Sequence, residues 1–253
     1  QYETFVPDAD CGMVANLRRA GGNVLGKTNV PEFGAGANSV NPVYGPTGNP
    51  FKPAYNAAGS SGGSAAALAT GMVPLASGSD TGGSLRNPAA YCGIVGYRPT
   101  PGLVPSEKRG MGWSCLPVLG PMARTVPDVA LMLSVMAADD SYDALAAPVD
   151  PASFHPLPEV DPASLRVAIT EDFGFCPTSQ EVRGLFRDRI GRIRHLFGSV
   201  TEATPDMTGA DDAFAVLRAE GMLAKHMPAY RTKRHVLGPN IIANVEEGLK
   251  YTL

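Results

Sequence analysis

Residues 59–86 read GSSGGSAAALATGMVPLASGSDTGGSLR, and the organisation of the whole chain follows from this stretch. Two clusters rich in serine and glycine, at 59–64 and 80–84, flank a segment of small apolar residues. No charged side chain occurs between positions 53 and 79, and a helix that lacks a polar face is usually buried. Glycines, Pro74 and several hydroxyls interrupt the run before the roughly 20 apolar residues that a membrane span needs. The stretch is therefore predicted to lie inside a folded domain.

The segment between the two clusters predicts a helix followed by a strand. The small residues at 64–70 favour a tightly packed interior helix, and we expect it to end at Gly71. The following residues, 72–76, indicate a short buried strand. The second glycine cluster then predicts a turn that presents Ser84.

Length and composition limit the class of protein. The 253 residues suffice for one large α/β domain or two smaller ones with a sizeable core. Only 18% of the residues are charged, against about 25% in average globular proteins, which favours extensive burial. The net charge of −3 gives no reason to expect nucleic acid or an acidic membrane surface as a partner.

The cysteines and the chain ends bear on the cellular compartment. The four cysteines are Cys11, Cys92, Cys115 and Cys176. Because no two of them form a C-x-x-C pair, they favour reduced thiols in the cytoplasm over a disulfide framework or a zinc site. The chain begins at Gln1 without a charged and apolar leader, so it predicts no secretory signal. It also ends at Leu253 within a helical pattern, and we expect a fragment of a longer protein.

Hydrophobic periodicity and turn residues predict the remaining elements. Helices are expected at 11–20, 125–138, 180–197 and 212–226, strands at 23–27 and 165–170, and a loop at 34–58. The first helix is expected to bury Val14 and Leu17. The helix at 180–197 carries an apolar side opposite five arginines, which we interpret as a solvated face rather than an RNA-binding stripe. Residues 141–164 are polar and rich in proline, as in a connector.

One short pattern resembles a nucleotide-binding loop. Residues 21–28, GGNVLGKT, satisfy the phosphate-binding pattern G-x-x-x-x-G-K-T. That loop must follow a buried strand and lead into a helix. Here a predicted helix precedes the glycines and a predicted strand holds the lysine, so the order is reversed and we reject the nucleotide-binding interpretation.

The serine at the second cluster fits a lysine-assisted nucleophile better than a serine–histidine pair. Ser84 is not followed by x-Gly, as a nucleophile elbow requires, and all four histidines lie beyond position 150. A lysine becomes a usable base when burial disfavours its charged form. Lys27 has no acidic neighbour in the sequence closer than Glu32. The glycines before Ser84 could form an oxyanion hole, or they could only make tight turns.

Taken together, the motifs resemble the amidase signature family. The matching blocks are residues 26–29, 32–33, 49–50, 59–65, 78–86, 92–96, 99–100 and 120–125. Their long ordered agreement covers about residues 2–140, which makes the resemblance far more specific than the isolated match at 21–28. It implies an α/β fold with a mixed central β-sheet covered by helices on both faces, incomplete at both ends in this chain.

The resemblance also implies the site residues. It places a Ser-cisSer-Lys triad on Lys27, Ser60 and Ser84. The oxyanion hole would be formed by N–H groups of Thr81, Gly82, Gly83 and Ser84. Asp80 and Arg86 would support this turn, and no metal or organic cofactor would be required. Residues 1–140 would form the catalytic core, 141–164 the connector and 165–253 the remaining α/β scaffold of the same domain.

The implied activity is hydrolysis of a small-molecule amide, with Gly36, Met111 and Trp113 as candidate pocket residues. An alternative is the amidase component of a tRNA-dependent amidotransferase, in which a sequence like Gly-Arg-Val-Ser-Arg-Tyr-Gly tends to follow the Pro-Thr block. Here residues 102–114 read GLVPSEKRGMGWS, which favours the hydrolase. A further alternative is an inactive scaffold or binding module. We expect no nucleic-acid or membrane partner, and the sequence leaves a homodimer open.

Overall fold

The structure, a computed structural model, describes residues 5–107, 109–138, 140 and 142–252. In chain order the elements are α1 (Gly12–Arg19), β1 (Val40–Asn41), β2 (Gly45–Pro46), α2 (Gly62–Ala69), β3 (Leu75–Asp80), α3 (Arg86–Cys92), β4 (Val95–Gly96), β5 (Val118–Ala123), α4 (Val126–Met136), β6 (Arg166–Ile169), α5 (Gln180–Ile193), β7 (Ser199–Glu202), α6 (Ala210–Lys233) and α7 (Pro239–Gly248). Gln1 and Leu253, on which the interpretation of the chain as a fragment partly rests, lie outside the described residues.

Antiparallel and parallel pairings occur in separate sheets of the described chain. The largest sheet has the order β3-β5-β4 and is antiparallel throughout. β1 and β2 form a short antiparallel pair. β6 and β7 are parallel, and α5 is the crossover between them, as parallel strands require. The chain therefore belongs to the α/β class, as predicted.

The three-stranded sheet is covered by helices on both faces. Successive residues of a strand point to opposite faces, so Met122 and Leu119 of β5 lie on different sides. Met122 packs with residues of α2 and α3 in one apolar cluster. Leu119 packs with residues of α1 and α4 in a second cluster. The site described below is on the α2 side.

The central stretch folds largely as predicted. The predicted helix is α2, which ends with Gly71 in a left-handed conformation at φ 73°. The N–H groups of Gly71 and Met72 donate to the carbonyls of Leu68 and Ala67, the paired bonds of a glycine C-cap. The strand begins later than predicted: Met72 is exposed, and β3 extends to Asp80. Residues 77–80 therefore belong to the strand, and the glycine turn is confined to the residues after it.

Two opposed glycines of the sheet make room for the residue that follows Ser84. Gly78 of β3 and Gly120 of β5 are directly paired. A Cβ at Gly78 would lie 2.7 Å from Leu85 Cδ2, and one at Gly120 would lie 2.6 Å from Leu85 Cδ1. The Leu85 side chain, which has no solvent exposure, fills the space that both glycines leave. This contact seats the end of the glycine turn against the sheet.

The predictions for residues 11–58 are partly wrong. α1 lies where a helix was expected, and Val14 and Leu17 face the core. The strand predicted at 23–27 is absent: within the described chain, residues 23–30 form neither helix nor strand. Without a strand before it or a long helix after it, the GGNVLGKT segment also lacks the framework of a phosphate-binding loop. Residues 34–58 contain the short β1–β2 pair rather than loop alone.

The contacts between Cα atoms divide the chain into two compact units. One contains the residues up to Leu157 together with those from Ala215 onward, and the other is Pro158–Phe214. The boundary at Pro158 falls within residues 141–164. The three-part division into 1–140, 141–164 and 165–253 stays a prediction.

The unit Pro158–Phe214 is built around β6, α5 and β7. The helix predicted at 180–197 is α5, and on its apolar side Val182 and Leu185 are each 54% exposed. On the arginine side, Arg183 pairs with Asp172 and Arg187 with Glu171, as a solvated face would.

α4 and α6 confirm two further helix predictions. The Thr125 hydroxyl caps α4 by accepting from the N–H of Asp128 at 3.3 Å. α6 is longer than the predicted 212–226. None of the helices in the described part of the chain combines the length and the apolarity needed to cross a bilayer.

Candidate active site

The first serine cluster lies at the buried N-terminal end of α2. Ser60 is only 2% exposed, and the Gly59–Ser60 peptide bond is cis. The Ser39 hydroxyl donates to the Ser60 carbonyl at 2.9 Å and accepts from the N–H of Gly62, also at 2.9 Å. Ser39 thus ties both sides of the serine pair to one residue of the preceding loop.

The structure brings the two serine clusters together. The N–H of Ser61 donates to the carbonyl of Ser84 at 3.2 Å. The Ser61 hydroxyl accepts from the N–H of Ser79 at 3.2 Å, so the same serine also binds the C-terminal end of β3. Ser60 and Ser84 therefore lie on adjacent backbone segments although 23 residues separate them in the sequence.

The segment that carries Lys27 packs along α2. The hydroxyls of Thr28 and Ser64 are 2.8 Å apart, and Ser64 donates onward to the Ser77 carbonyl at 3.0 Å. The N–H of Gly63 donates to the carbonyl of Asn29 at 3.1 Å. These bonds place the backbone of all three predicted triad residues around the start of α2.

The described chain does not bury Lys27, although the sequence argument linked the action of a lysine as a base to burial. Its side chain is exposed, as are the residues that precede it from Arg18 onward. The physical reason is that Thr28 and Asn29, rather than Lys27, make the contacts that hold this segment on α2. Among the described residues, no hydrogen bond joins the Lys27 amine to the hydroxyls of Ser60 and Ser84.

Asp80 organises the turn between β3 and α3. Its carboxylate is fully buried and accepts from the N–H of Gly83 at 2.8 Å and from that of Leu85 at 3.2 Å. Arg86 binds both carboxylate oxygens at 3.0 Å through Nε and Nη2. Burial by itself raises the pKa of Asp80, but the bonds from Arg86, Gly83 and Leu85 outweigh it and hold the pKa below the ordinary 3.8. The carboxylate is thus a charged anchor beneath Ser84.

Arg98 is part of this network and was not foreseen from the sequence. Its Nη1 donates to the Asp80 carbonyl at 2.6 Å and to Asp80 Oδ1 at 3.1 Å. The sequence shows only that an arginine follows shortly after the C-G-I-V-G block, and nothing distinguishes it there from the other arginines of the chain. Which acid it binds depends on how β4 and β3 are brought together by β5.

The hydrogen bonds of Asp80 correct the predicted oxyanion hole. The Gly83 N–H points at the Asp80 carboxylate, so it is engaged and that part of the prediction is wrong. Among the described residues, the N–H groups of Thr81, Gly82 and Ser84 donate no hydrogen bond. Three of the four predicted donors therefore have no hydrogen-bond acceptor in the described chain. Gly83 instead contributes to the shape of the turn through its left-handed backbone at φ 110°.

The three candidate pocket residues lie in two places. A Cβ added at Gly36 would lie 3.2 Å from Pro31 Cβ and 3.7 Å from Asn240 Nδ2, so this position faces α7 rather than the Ser84 turn. Met111 and Trp113 lie on the loop between β4 and β5, where Trp113 is 80% exposed. A pocket role for all three stays a prediction. In the described part of the chain, no three His, Cys, Asp or Glu side chains are arranged to hold a metal ion.

Replacing Gly63 with alanine should disturb the seating of the Lys27 segment. The added Cβ would meet the backbone N and O of Asn29 and would lie 2.9 Å from the Thr28 Cβ. Because that backbone cannot yield easily, we expect the free energy of unfolding to fall by about 1–3 kcal/mol in urea titrations. Gly184→Ala in α5 is the matched control, since no atom lies within 4 Å of its added Cβ. An equal loss in both variants would contradict the prediction.

The comparison with known proteins decides the family. A family model described as Amidase matches residues 1–235. The chain belongs to the amidase signature family. The blocks that carry the resemblance in the sequence are the same segments that the structure gathers around the start of α2.

Relatives within the amidase signature family include hydrolases and a component of an amidotransferase. An acylamidase of Rhodococcus erythropolis is 43% identical over 196 residues, covering 76% of this chain and 40% of that protein. The A-type subunit of the glutamyl-tRNA(Gln) amidotransferase of Thermus thermophilus is 40% identical over 220 residues, covering 85% of this chain and 45% of that protein. The crystal structure of a bacterial aryl acylamidase superposes with a TM-score of 0.83 at 26% identity, over 95% of this chain and 52% of that one. The chain thus spans about half the length of the relatives it matches.

Proposed function

We propose that this protein hydrolyses a carboxamide C–N bond to a carboxylate plus ammonia or an amine, through an acyl-enzyme on Ser84. The observation that carries the proposal is the hydrogen bond from the Ser61 N–H to the Ser84 carbonyl. It places the serine pair beside the turn of the candidate nucleophile, and membership of the amidase signature family supports the same assignment.

The proposed reaction begins with proton transfer away from Ser84. Ser60 accepts the Ser84 proton while passing its own to the amine of Lys27, and the Ser84 oxygen attacks the amide carbon. N–H groups of Thr81, Gly82 and Ser84 stabilise the oxyanion that forms. The proton then returns from Lys27 through Ser60 to the leaving nitrogen, and the C–N bond breaks. Water hydrolyses the resulting ester by the same relay, which regenerates Ser84.

The amidase component of a tRNA-dependent amidotransferase remains the second candidate function, because several relatives carry that name. In that role the same hydrolysis would release ammonia to a partner protein. The loop sequence GLVPSEKRGMGWS at 102–114 favours the stand-alone hydrolase. We further propose a small-molecule amide as the substrate and a cytoplasmic location. The wide spacing of the four cysteines in the sequence, without a C-x-x-C pair, supports a reducing compartment.

An active-site-directed fluorophosphonate tests the nucleophile directly. We expect the full-length protein to be labelled at Ser84, because an activated serine hydroxyl attacks the phosphorus centre as it would attack an amide. The measurement is peptide mass mapping of the labelled protein, with the Ser84→Ala variant beside it. Labelling that persists at the same rate in Ser84→Ala would rule out this nucleophile, and no labelling of the unmodified protein would rule out the hydrolase.

A further inference from the structure

Ser39, the residue before β1, is buried, and each of its polar groups is hydrogen-bonded. It is only 2% exposed. Its N–H donates to the Ala58 carbonyl at 3.1 Å, and its carbonyl accepts from the N–H of Thr47 at 2.9 Å. Its hydroxyl donates to the Ser60 carbonyl and accepts from the N–H of Gly62, both at 2.9 Å. Three of these four bonds therefore join Ser39 to the serine pair and its immediate neighbours.

Two glycines of the first serine cluster leave the space that Ser39 occupies. A Cβ added at Gly62 would lie 2.5 Å from the Ser39 hydroxyl oxygen. One added at Gly59 would lie 3.0 Å from the Ser39 N and 2.9 Å from the carbonyl carbon of Asn38. The glycines on either side of the serine pair thus permit a close approach that a side chain would prevent.

The peptide group between Ser60 and Ser61 is bonded at both of its polar ends. Its carbonyl accepts from the Ser39 hydroxyl at 2.9 Å, and its N–H donates to the Ser84 carbonyl at 3.2 Å. Because a trans peptide group is planar, its C=O and N–H turn together. The hydroxyl that fixes the carbonyl therefore also fixes the direction of the N–H that meets Ser84.

Loss of the Ser39 hydroxyl would leave two buried backbone groups without this partner. The Ser60 carbonyl and the Gly62 N–H both belong to buried residues, and a buried polar group without a partner is costly. We expect the peptide group to turn toward other partners and to shift Ser84 relative to Ser60. A misplacement of about 1 Å at a reacting group can lower a rate about a hundredfold.

We propose that Ser39 is a positioning residue for the nucleophile: its hydroxyl fixes the plane of the Ser60–Ser61 peptide group and, through it, the position of Ser84 relative to Ser60. This inference rests on the proposed hydrolase function and adds a residue to its machinery. Ser39 does not touch the reacting atoms in this proposal. It acts through the backbone of the serine pair.

The test measures fluorophosphonate labelling of Ser84 over a range of probe concentrations in the full-length protein, so it requires no known substrate. In Ser39→Ala we expect the maximal labelling rate per folded molecule to fall by about 10- to 100-fold, while the probe concentration that gives half of that rate changes by less than about twofold. Urea titration supplies the folded fraction. A purely structural role would lower that fraction and would not change the maximal rate of the molecules that remain folded.

Thr125→Ala is the matched control, because it also deletes a hydroxyl that accepts from a backbone N–H near the start of a helix. Thr125 caps α4, which packs on the face of the three-stranded sheet opposite to α2. We expect its urea midpoint to fall and its labelling of Ser84 to match that of the unmodified protein.

The outcomes separate failure of this inference from failure of the proposed function. If the unmodified protein is labelled at Ser84 and Ser39→Ala reaches the same maximal rate, the inference is overturned while the hydrolase stands. Equal slowing in Thr125→Ala would attribute the loss to lower stability and would overturn the inference as well. If Ser39→Ala does not fold, Ser39→Cys decides by the same comparison, because its thiol donates only weakly. Failure to label Ser84 in the unmodified protein would overturn both.

Discussion

Replacement of Ser84 with alanine is expected to lower kcat for amide hydrolysis by about four to six orders of magnitude, the loss seen when an acyl-enzyme nucleophile is removed. Without its hydroxyl the protein cannot form the ester intermediate, and only binding and oxyanion stabilisation remain. The measurement is ammonia release at saturating substrate in the full-length protein. Ser79→Ala is the matched control, since only the backbone of Ser79 takes part in the bonds to Ser61. A comparable loss in the control would contradict the assignment.

Lys27 allows a sharper form of the same prediction. Lys27→Ala should lose nearly all turnover, and Lys27→Arg should lose as much, because a guanidinium stays charged and cannot accept the proton in this pH range. Ser60→Ala should be severe but less complete than Ser84→Ala, since water can substitute in part for a bridging hydroxyl. Full activity of Lys27→Arg would show that the lysine supplies only charge and would refute the proton relay.

Replacement of Asp80 with asparagine is expected to reduce the free energy of unfolding by about 2–4 kcal/mol. The buried N–H groups of Gly83 and Leu85 and the Arg98 guanidinium all depend on this carboxylate. A buried donor left without its acceptor costs about 1–3 kcal/mol, and the side-chain amide of an asparagine could accept from only some of these donors. Arg86 adds little to this estimate, because its side chain is 55% exposed and exposed pairs are weak.

Urea titration measures the effect of Asp80→Asn through the midpoint at constant m-value. The turn that carries Ser84 should shift as well, so the labelling rate at Ser84 is expected to fall more than tenfold in the folded variant. The control is Asp188→Asn, whose partner Arg192 lies one helical turn away on the surface of α5, and we expect a change below about 0.5 kcal/mol there. Equal midpoints for Asp80→Asn and the unmodified protein would contradict the anchoring role of Asp80.

Local rules account for what could be predicted of the central stretch. The end of α2 at Gly71 follows from residues that are neighbours in the sequence, because a left-handed glycine closes the last turn with two short-range bonds. The start of α4 at Thr125 follows in the same way from a hydroxyl three residues before Asp128. The start of β3 was missed because Met72–Pro74 are as apolar as a strand, although they only form the turn that leads into it.

For the site residues, too, the sequence predicted some properties and missed those that depend on tertiary structure. Sequence motifs indicated the three segments that carry Lys27, Ser60 and Ser84, and the structure does gather these segments at α2. The sequence could not show that the Gly83 N–H is directed to Asp80 instead of the oxyanion, since this depends on the conformation of a turn. It could not show the exposure of Lys27 either, because burial is a property of the whole packed surface.

By itself, then, the sequence determined the family, the small-residue helix with its glycine cap and the candidates for the reactive hydroxyls and amine. Only the tertiary structure decided which charges meet: Arg98 binds Asp80 across 18 residues, and Arg109 binds Asp143 across 34. The physical reason is the separation along the chain over which each kind of interaction acts. Caps and small-residue runs act between neighbours in the chain, whereas an ion pair forms wherever the packing of strands and loops brings two side chains to within about 3 Å.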